Sequence, residues 1–222
     1  MFNRVTLFLR TKPYSQSAVI QTLLDLIYPP KCALCGDLTH PGLCPACRAT
    51  FTPAPNPLPT KPPLTSITAP FLYNDLAAEA VKKLKFDRRT PLAEPLSQIL
   101  HKAAQSIPHD LVIPVPVART RRSERGFNQS ELLAQAFPKT SVHPHLLRRT
   151  RYTKPQVGLN AKQRHENLKD AFLAPEPLPN QRILLLDDVI TTGGTAFACA
   201  QELIRQGASE VHLLTFAIQL GN

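Results

Sequence analysis

ILLLDDVITTGGT, residues 183–195, is the stretch on which the fold turns. The run Arg182–Val189 reads as a fully apolar strand that delivers two adjacent carboxylates, Asp187 and Asp188, to its carboxyl end. In open α/β sheets, ligands bind at that edge. Gly193 and Gly194 break the strand, Thr195–Gln206 reads as a helix, and Val211–Ile218 is a second apolar strand. Strand, glycine turn, helix and strand form a βαβ unit, which implies a parallel sheet. Within the turn, Thr191, Thr192, Gly193, Gly194 and Thr195 supply what an anion needs. Glycines permit close backbone approach, N–H groups at a helix N-terminus form a phosphate cradle, and threonine hydroxyls add donors. The carboxylates suit sugar hydroxyls better than phosphate. Two acceptors for a ribose diol beside a cradle for its 5′-phosphate describe a ribose 5-phosphate site. The plainer alternative is an ordinary glycine turn with Asp-Asp capping the next helix. A Walker loop is excluded because no G-K-[ST] follows, and a dinucleotide fingerprint because G-x-G-x-x-G is absent.

Working outward, Leu111–Val115 (LVIPV) is a short buried strand. Asn128–Phe137 reads as a helix with Leu132, Leu133 and Ala136 on one face. Between them, IPVPVARTRRSERGFNQ (113–129) runs from the strand's end into Arg119, Arg121, Arg122 and Arg125. Arg122 and Arg125 are candidates for bidentate contacts to pyrophosphate, against the alternative of a solvated basic loop. RRTRYTKPQVGLNAKQRHENLKDAF (148–172) is basic, with little apolar periodicity until its end, and reads as a mobile flap or an ordinary basic loop. Lys82, Lys83, Lys85, Arg148, Arg149 and Arg151 are the cations expected to track a nucleic-acid backbone, with Tyr152 and Phe127 offering stacking surfaces.

Toward the N-terminus, Cys32-x-x-Cys35-Gly36 is followed by Cys44-Pro45-Ala46-Cys47. Each C-x-x-C supplies two thiolates from one tight turn. Four thiolates satisfy the tetrahedral preference of Zn²⁺ and leave no position open for chemistry, so the expected site is structural. Rubredoxin-type iron and a redox dithiol are the alternatives. Cys199, inside the helix after the glycine turn, reads as a small core residue. Residues 53–63 hold six prolines and few large apolar side chains, the composition of an extended, semi-rigid linker. The expected division is a helix (Ser15–Tyr28, stopped by Pro29 and Pro30) with the cysteine knuckle over 1–52, a linker over 53–64, and an α/β domain over 65–222.

Composition sets outer limits. Among the 222 residues, 43% are hydrophobic and 19% charged, which excludes the disordered class. The formal net charge of +10 favours polyanionic partners: phosphorylated metabolites, nucleic acid or an acidic membrane face. The apolar stretch Val5–Leu9 is closed by Arg10 without a small-residue cleavage site, and no run approaches about 18 apolar residues. A cytoplasmic protein without a transmembrane segment is the expectation.

The string at 183–195 resembles the binding signature for phosphoribosyl pyrophosphate (PRPP) of type I phosphoribosyltransferases. Where hypoxanthine–guanine enzymes carry an aspartate base, this chain has Thr191; adenine and orotate enzymes also lack that aspartate. The order YPPxCxxCG, CxxC, LKF, PVP then RGFNQ, PQxxLxxxxRxxN, AF and LLDDVITTGGT, from Tyr28 to Thr195, resembles the ComF/GntX family. The resemblance implies a type I phosphoribosyltransferase-like α/β fold and PRPP bound with Mg²⁺. Asp187 and Asp188 would lie on the ribose hydroxyls, Thr191–Thr195 on the 5′-phosphate and the arginines near Arg122 on the pyrophosphate. It further implies a role in natural transformation, handling internalised single-stranded DNA beside DNA-uptake or helicase proteins at the inner membrane face. Other members are linked to gluconate utilisation. The rival is a non-catalytic single-stranded-DNA-binding factor regulated by PRPP or a nucleotide. No residue presents itself as the general base, and the acceptor is not legible.

Overall fold

The computed structural model describes residues 29, 31–38, 40, 42–86, 90–150 and 170–220. In chain order these form helix α1 (Pro45–Ala49), strands β1 (Ser66–Thr68) and β2 (Phe71–Leu72), and helices α2 (Asp75–Phe86) and α3 (Ala93–Ala104). Then come strand β3 (Leu111–Pro114), helices α4 (Arg119–Arg125) and α5 (Gln129–Leu133), and strands β4 (Arg148–Arg149) and β5 (Phe172–Leu173). Strand β6 (Arg182–Ile190), helix α6 (Gly194–Arg205) and strand β7 (Glu210–Ile218) complete the order. The expected helix over Ser15–Tyr28 lies outside the described residues.

Strands β1, β7, β6 and β3 lie in that order, all parallel, with β2 continuing the β7 edge. The mixed α/β expectation with a parallel sheet is met. Val211–Ile218 is buried at every position, as expected of a strand covered on both faces. Side chains alternate between the two layers. Ile183 and Leu185 pack with Cys199, Ala200 and Leu203 of α6, while Leu184 and Leu186 pack with Leu84, Leu96, Leu100 and Leu133 of the helices opposite. Each such leucine contributes roughly 1.5–3 kcal/mol by leaving water. Phe51 makes edge contacts with Phe71 and Phe216, centroids 5.1 and 5.7 Å away, and so ties the end of the cysteine segment to the sheet. The proline-rich stretch lies against the same body: Leu58 and Leu64 join the core, and Ala54 N–H donates to Pro70 O at 3.0 Å.

Two elements differ from their sequence reading, and a third is described only at its ends. The helix expected over Asn128–Phe137 ends at Leu133. Buried Ser97 of α3 intercepts it, donating to Leu133 O (2.7 Å) and accepting from Ala136 N (2.8 Å), so the helical ladder cannot continue. The basic run 119–125 is a helix, ended by Gly126 at φ 84°, a left-handed conformation that favours glycine. The ends of the stretch 148–172 are joined: β4 and β5 pair antiparallel, and Thr150 N–H donates to Ala171 O at 3.0 Å. Residues 151–169 between them, including Arg151 and Tyr152, lie outside the described residues.

Candidate phosphosugar site and metal knuckle

The sulfurs of Cys32, Cys35, Cys44 and Cys47 all lie within 4.8 Å of one another. Tetrahedral zinc with bonds of about 2.3 Å requires sulfur separations of about 3.8 Å. Cys35 and Cys44 stand 3.7 Å apart. Gly36, at φ 82°, turns the chain behind the first pair, and Cys32 N–H donates to Asp37 O at 2.7 Å. Burial and the neighbouring sulfurs push the Cys47 thiol up. At Cys32 burial also opposes ionisation, but backbone N–H groups of Cys35, Cys44 and Leu34 outweigh it and lower the group to about 6. Four sulfurs so close can all ionise only around a cation. The donor set therefore fits Zn²⁺. The knuckle docks on α2, where Leu76 packs against the cysteines and Lys83 Nζ donates to Ala33 O at 3.1 Å.

At the carboxyl edge of β6, the two aspartates make different contacts. Asp187 Oδ1 accepts from Ser130 Oγ at 2.9 Å and from Asp188 N–H at 2.8 Å. Asp188 is 3% exposed, and its Oδ2 lies 3.0 Å from Lys85 Nζ. Burial, then the charge of Asp188, raise Asp187 to about 7, with Lys85, the Asp188 N–H and Ser130 pulling the other way. Asp187 lines a small pocket of about 60 Å³ with Thr191, Thr192, Gly193, Gly194, Thr195 and Thr215. The first-turn N–H groups of α6 at its rim lack intrahelical acceptors. Gly193 is required for a reason the sequence does not display. Its φ is 76°, and a Cβ there would meet Phe197 Cε2 at 2.7 Å.

The arginines separate. Arg122 is held by Glu131 through two contacts, Nη1–Oε1 at 2.9 Å and Nη2–Oε2 at 3.2 Å. Arg125 lines a larger cleft of about 550 Å³ with Tyr73, Lys82, Lys85, Phe86, Arg121 and Glu124. Its guanidinium covers the Phe86 ring at 5.1 Å and donates to Gln129 Oε1 at 3.0 Å. Lys85 belongs to this cleft and to the Asp188 ion pair, so the cleft adjoins the aspartates. The lysines separate as well: Lys82 lines the cleft, whereas Lys83 faces the knuckle and lies 3.3 Å from Glu79. Arg148 is exposed; Arg149 lies over the Phe172 ring at 5.4 Å. Burial lowers the Arg149 pKa.

Sequence reasoning missed Ser130 and Glu131, and gave Phe86 no role beyond its place in the LKF motif. Asn128-Gln129-Ser130-Glu131 carries a legible sign, an N-cap with an acid three residues on; Asn128 Oδ1 accepts from Ser130 N at 3.0 Å. Phe86 and Lys85 stand in the LKF motif, but their partners Arg125 and Asp188 come from distant segments, so the contacts themselves carry no local sign.

The class defined here is a parallel α/β protein with a glycine turn and a small pocket at a strand's carboxyl edge and a zinc-ribbon-like knuckle. Residues 23–59 match the double zinc ribbon domain family. DNA utilization protein YhgH of Shigella flexneri is 33% identical over 199 residues, covering 82% of this chain and 87% of that protein. Competence protein F of Haemophilus influenzae is 33% identical over 146 residues, covering 60% of this chain and 64% of that one. Competence protein ComFC of Bacillus subtilis is 26% identical over 148 residues, covering 62% and 57% respectively. The chain belongs to this ComF competence-protein family. Among solved structures, a purine phosphoribosyltransferase from Pyrococcus horikoshii is a distant likeness, with TM-score 0.32 and 20% identity over 56% of this chain and 72% of that one. Among the described residues no helix is long and apolar enough to cross a membrane.

Proposed function

We propose that this chain binds PRPP with Mg²⁺ at the turn after β6 and acts in natural transformation, handling internalised single-stranded DNA at the cytoplasmic face of the inner membrane. One observation carries the reading: Asp187 and all five residues Thr191–Thr195 line a single pocket at the N-terminus of α6. In that pocket the turn and the α6 N–H groups hold the 5′-phosphate, and the free oxygen of Asp187 accepts from the ribose diol. Asp188 joins it once Lys85 gives way. Mg²⁺, carried in with PRPP, supplies neutralising charge at the pyrophosphate. Arg125, which lines the adjoining cleft, is better placed than Arg122 to assist, because Glu131 already holds Arg122.

The reaction class that suits such a site is pentosyl transfer, in which stabilising the departing pyrophosphate is the main catalytic task. A second reading, a PRPP-regulated DNA-binding factor without turnover, is favoured by one feature. Asp187 is the only titratable side chain lining the small pocket among the described residues. Pyrophosphate release measured in a single turnover with candidate bases separates the two. Release supports transfer, and PRPP binding without release supports regulation. The DNA-handling part draws on the relatives' names and on exposed Lys82, Arg121 and Arg148.

A further inference from the structure

We infer that the cleft between α2 and α4 is a nucleotide subsite, in which Phe86 and Arg125 take the base and Lys82 and Arg121 the phosphate. Its volume of about 550 Å³ falls in the range of small-molecule sites, roughly 300–1,000 Å³. Phe86 closes α2 and is 68% exposed, a large apolar ring left in water. The Arg125 guanidinium lies over that ring, fixed by its bond to Gln129 Oε1. Burial lowers the Arg125 pKa, the mark of a cation already partly withdrawn from solvent. A planar base stacks favourably on such a ring–guanidinium pair. Tyr73 adds a second aromatic wall.

Charge then narrows the ligand class. Lys85 is already paired with Asp188, but Lys82, Arg121 and Arg125 line the cleft with Glu124 as the one carboxylate among its lining residues. An uncharged nucleobase would leave that excess unused, and a sugar phosphate would leave Phe86 unused. A nucleotide uses both. Lys85 connects the cleft to Asp188, so a nucleotide there lies directly beside the aspartates of the proposed sugar site. The inference deepens the proposed function and rests on it only for that neighbourhood. A free mononucleotide and the end of a single strand present the same chemistry.

Isothermal titration of the full-length, zinc-loaded protein with dTMP, a 5′-phosphorylated dT hexamer and PRPP–Mg²⁺ tests this. We expect dTMP to bind, and Phe86→Ala to weaken it about tenfold or more through lost stacking, while Phe86→Tyr retains it. Arg125→Ala should weaken it as well, with PRPP affinity within about twofold of the parent in Phe86→Ala. Equal affinity for dTMP and hexamer identifies a free nucleotide as the ligand; tighter hexamer binding identifies a strand end. Exposed Phe86 leaves folding intact in the alanine variant, which its unchanged melting temperature would confirm. The inference is overturned if dTMP and hexamer bind Phe86→Ala as well as the parent. It is equally overturned if neither binds at millimolar concentration while PRPP does. Failure of PRPP alone, with Phe86-dependent dTMP binding retained, removes the sugar-site reading and leaves the cleft.

Discussion

Lys85 Nζ lies 3.0 Å from Asp188 Oδ2, so the last turn of α2 is pinned by charge to the carboxyl end of β6. Asp188 is almost fully buried, and Lys85 is the cation beside it. Removing one partner of a buried pair strands the other charge, typically at about 3–5 kcal/mol. Lys85→Met should therefore destabilise the protein by about 3 kcal/mol in urea unfolding. Adding Asp188→Asn should recover much of that loss. A single variant as stable as the parent would show that the pair is not formed.

A pH dependence follows from Asp187. Burial and Asp188 raise it from 3.8 to about 7 against Lys85, Ser130 and the Asp188 N–H. Across that window the folded state keeps a proton that the unfolded chain has lost. Stability should thus fall as pH rises from roughly 4 to 7 and level off above it. PRPP–Mg²⁺ should bind better over the same rise, because the ionised carboxylate is the better acceptor for the diol. Asp187→Asn should flatten the stability profile in this window. Thermal melts between pH 5 and 8 check it, and an unchanged slope in the variant would refute the assignment.

The cysteine site predicts one zinc per chain. A structural zinc contributes folding free energy directly, about 10–16 kcal/mol in isolated finger peptides. Cys44→Ser, or removal of the metal by a strong chelator, should lose the metal and unfold the segment docked on α2. Elemental analysis of freshly purified reduced protein checks the metal; iron, or none, would sink the prediction.

Which parts of this were legible beforehand follows from the range of the forces involved. RILLLDDV and the glycines after it announce a strand, a turn and a helix through local pattern alone, and the structure places them within a residue of the reading. The knuckle was legible because C-x-x-C spacing is itself local. The length of α5 was not, since Ser97 on another helix stops it. Nor was the sharing out of the cations. Only the fold reveals that Lys85 meets Asp188, Lys83 meets the knuckle, and Arg122 meets Glu131.

Nucleic-acid binding is tested by salt. Single-stranded DNA on exposed Lys82, Arg121 and Arg148 should bind without sequence preference and weaken steeply as salt rises, because bound cations release counterions. Arg148→Ala is the cleaner probe, because Arg149 also packs on Phe172. It should lower affinity for a labelled oligonucleotide and leave PRPP binding unchanged. Fluorescence anisotropy at two salt concentrations measures both. Undetectable binding at low salt leaves only the small-molecule role.

Thermal stabilisation by PRPP with Mg²⁺ tests the proposed phosphosugar site most directly. A ligand bound only by the folded state stabilises it by about 2.7 kcal/mol at a hundred times its Kd. The melting temperature of the zinc-loaded parent should therefore rise with PRPP–Mg²⁺ concentration. Gly193→Val should lose the rise, since its left-handed φ of 76° and the Phe197 ring leave no room for a side chain in the cradle. Asp187→Asn should lose most of it while keeping a native circular dichroism spectrum. No rise in the parent at millimolar PRPP–Mg²⁺, or an equal rise in both variants, would contradict the account.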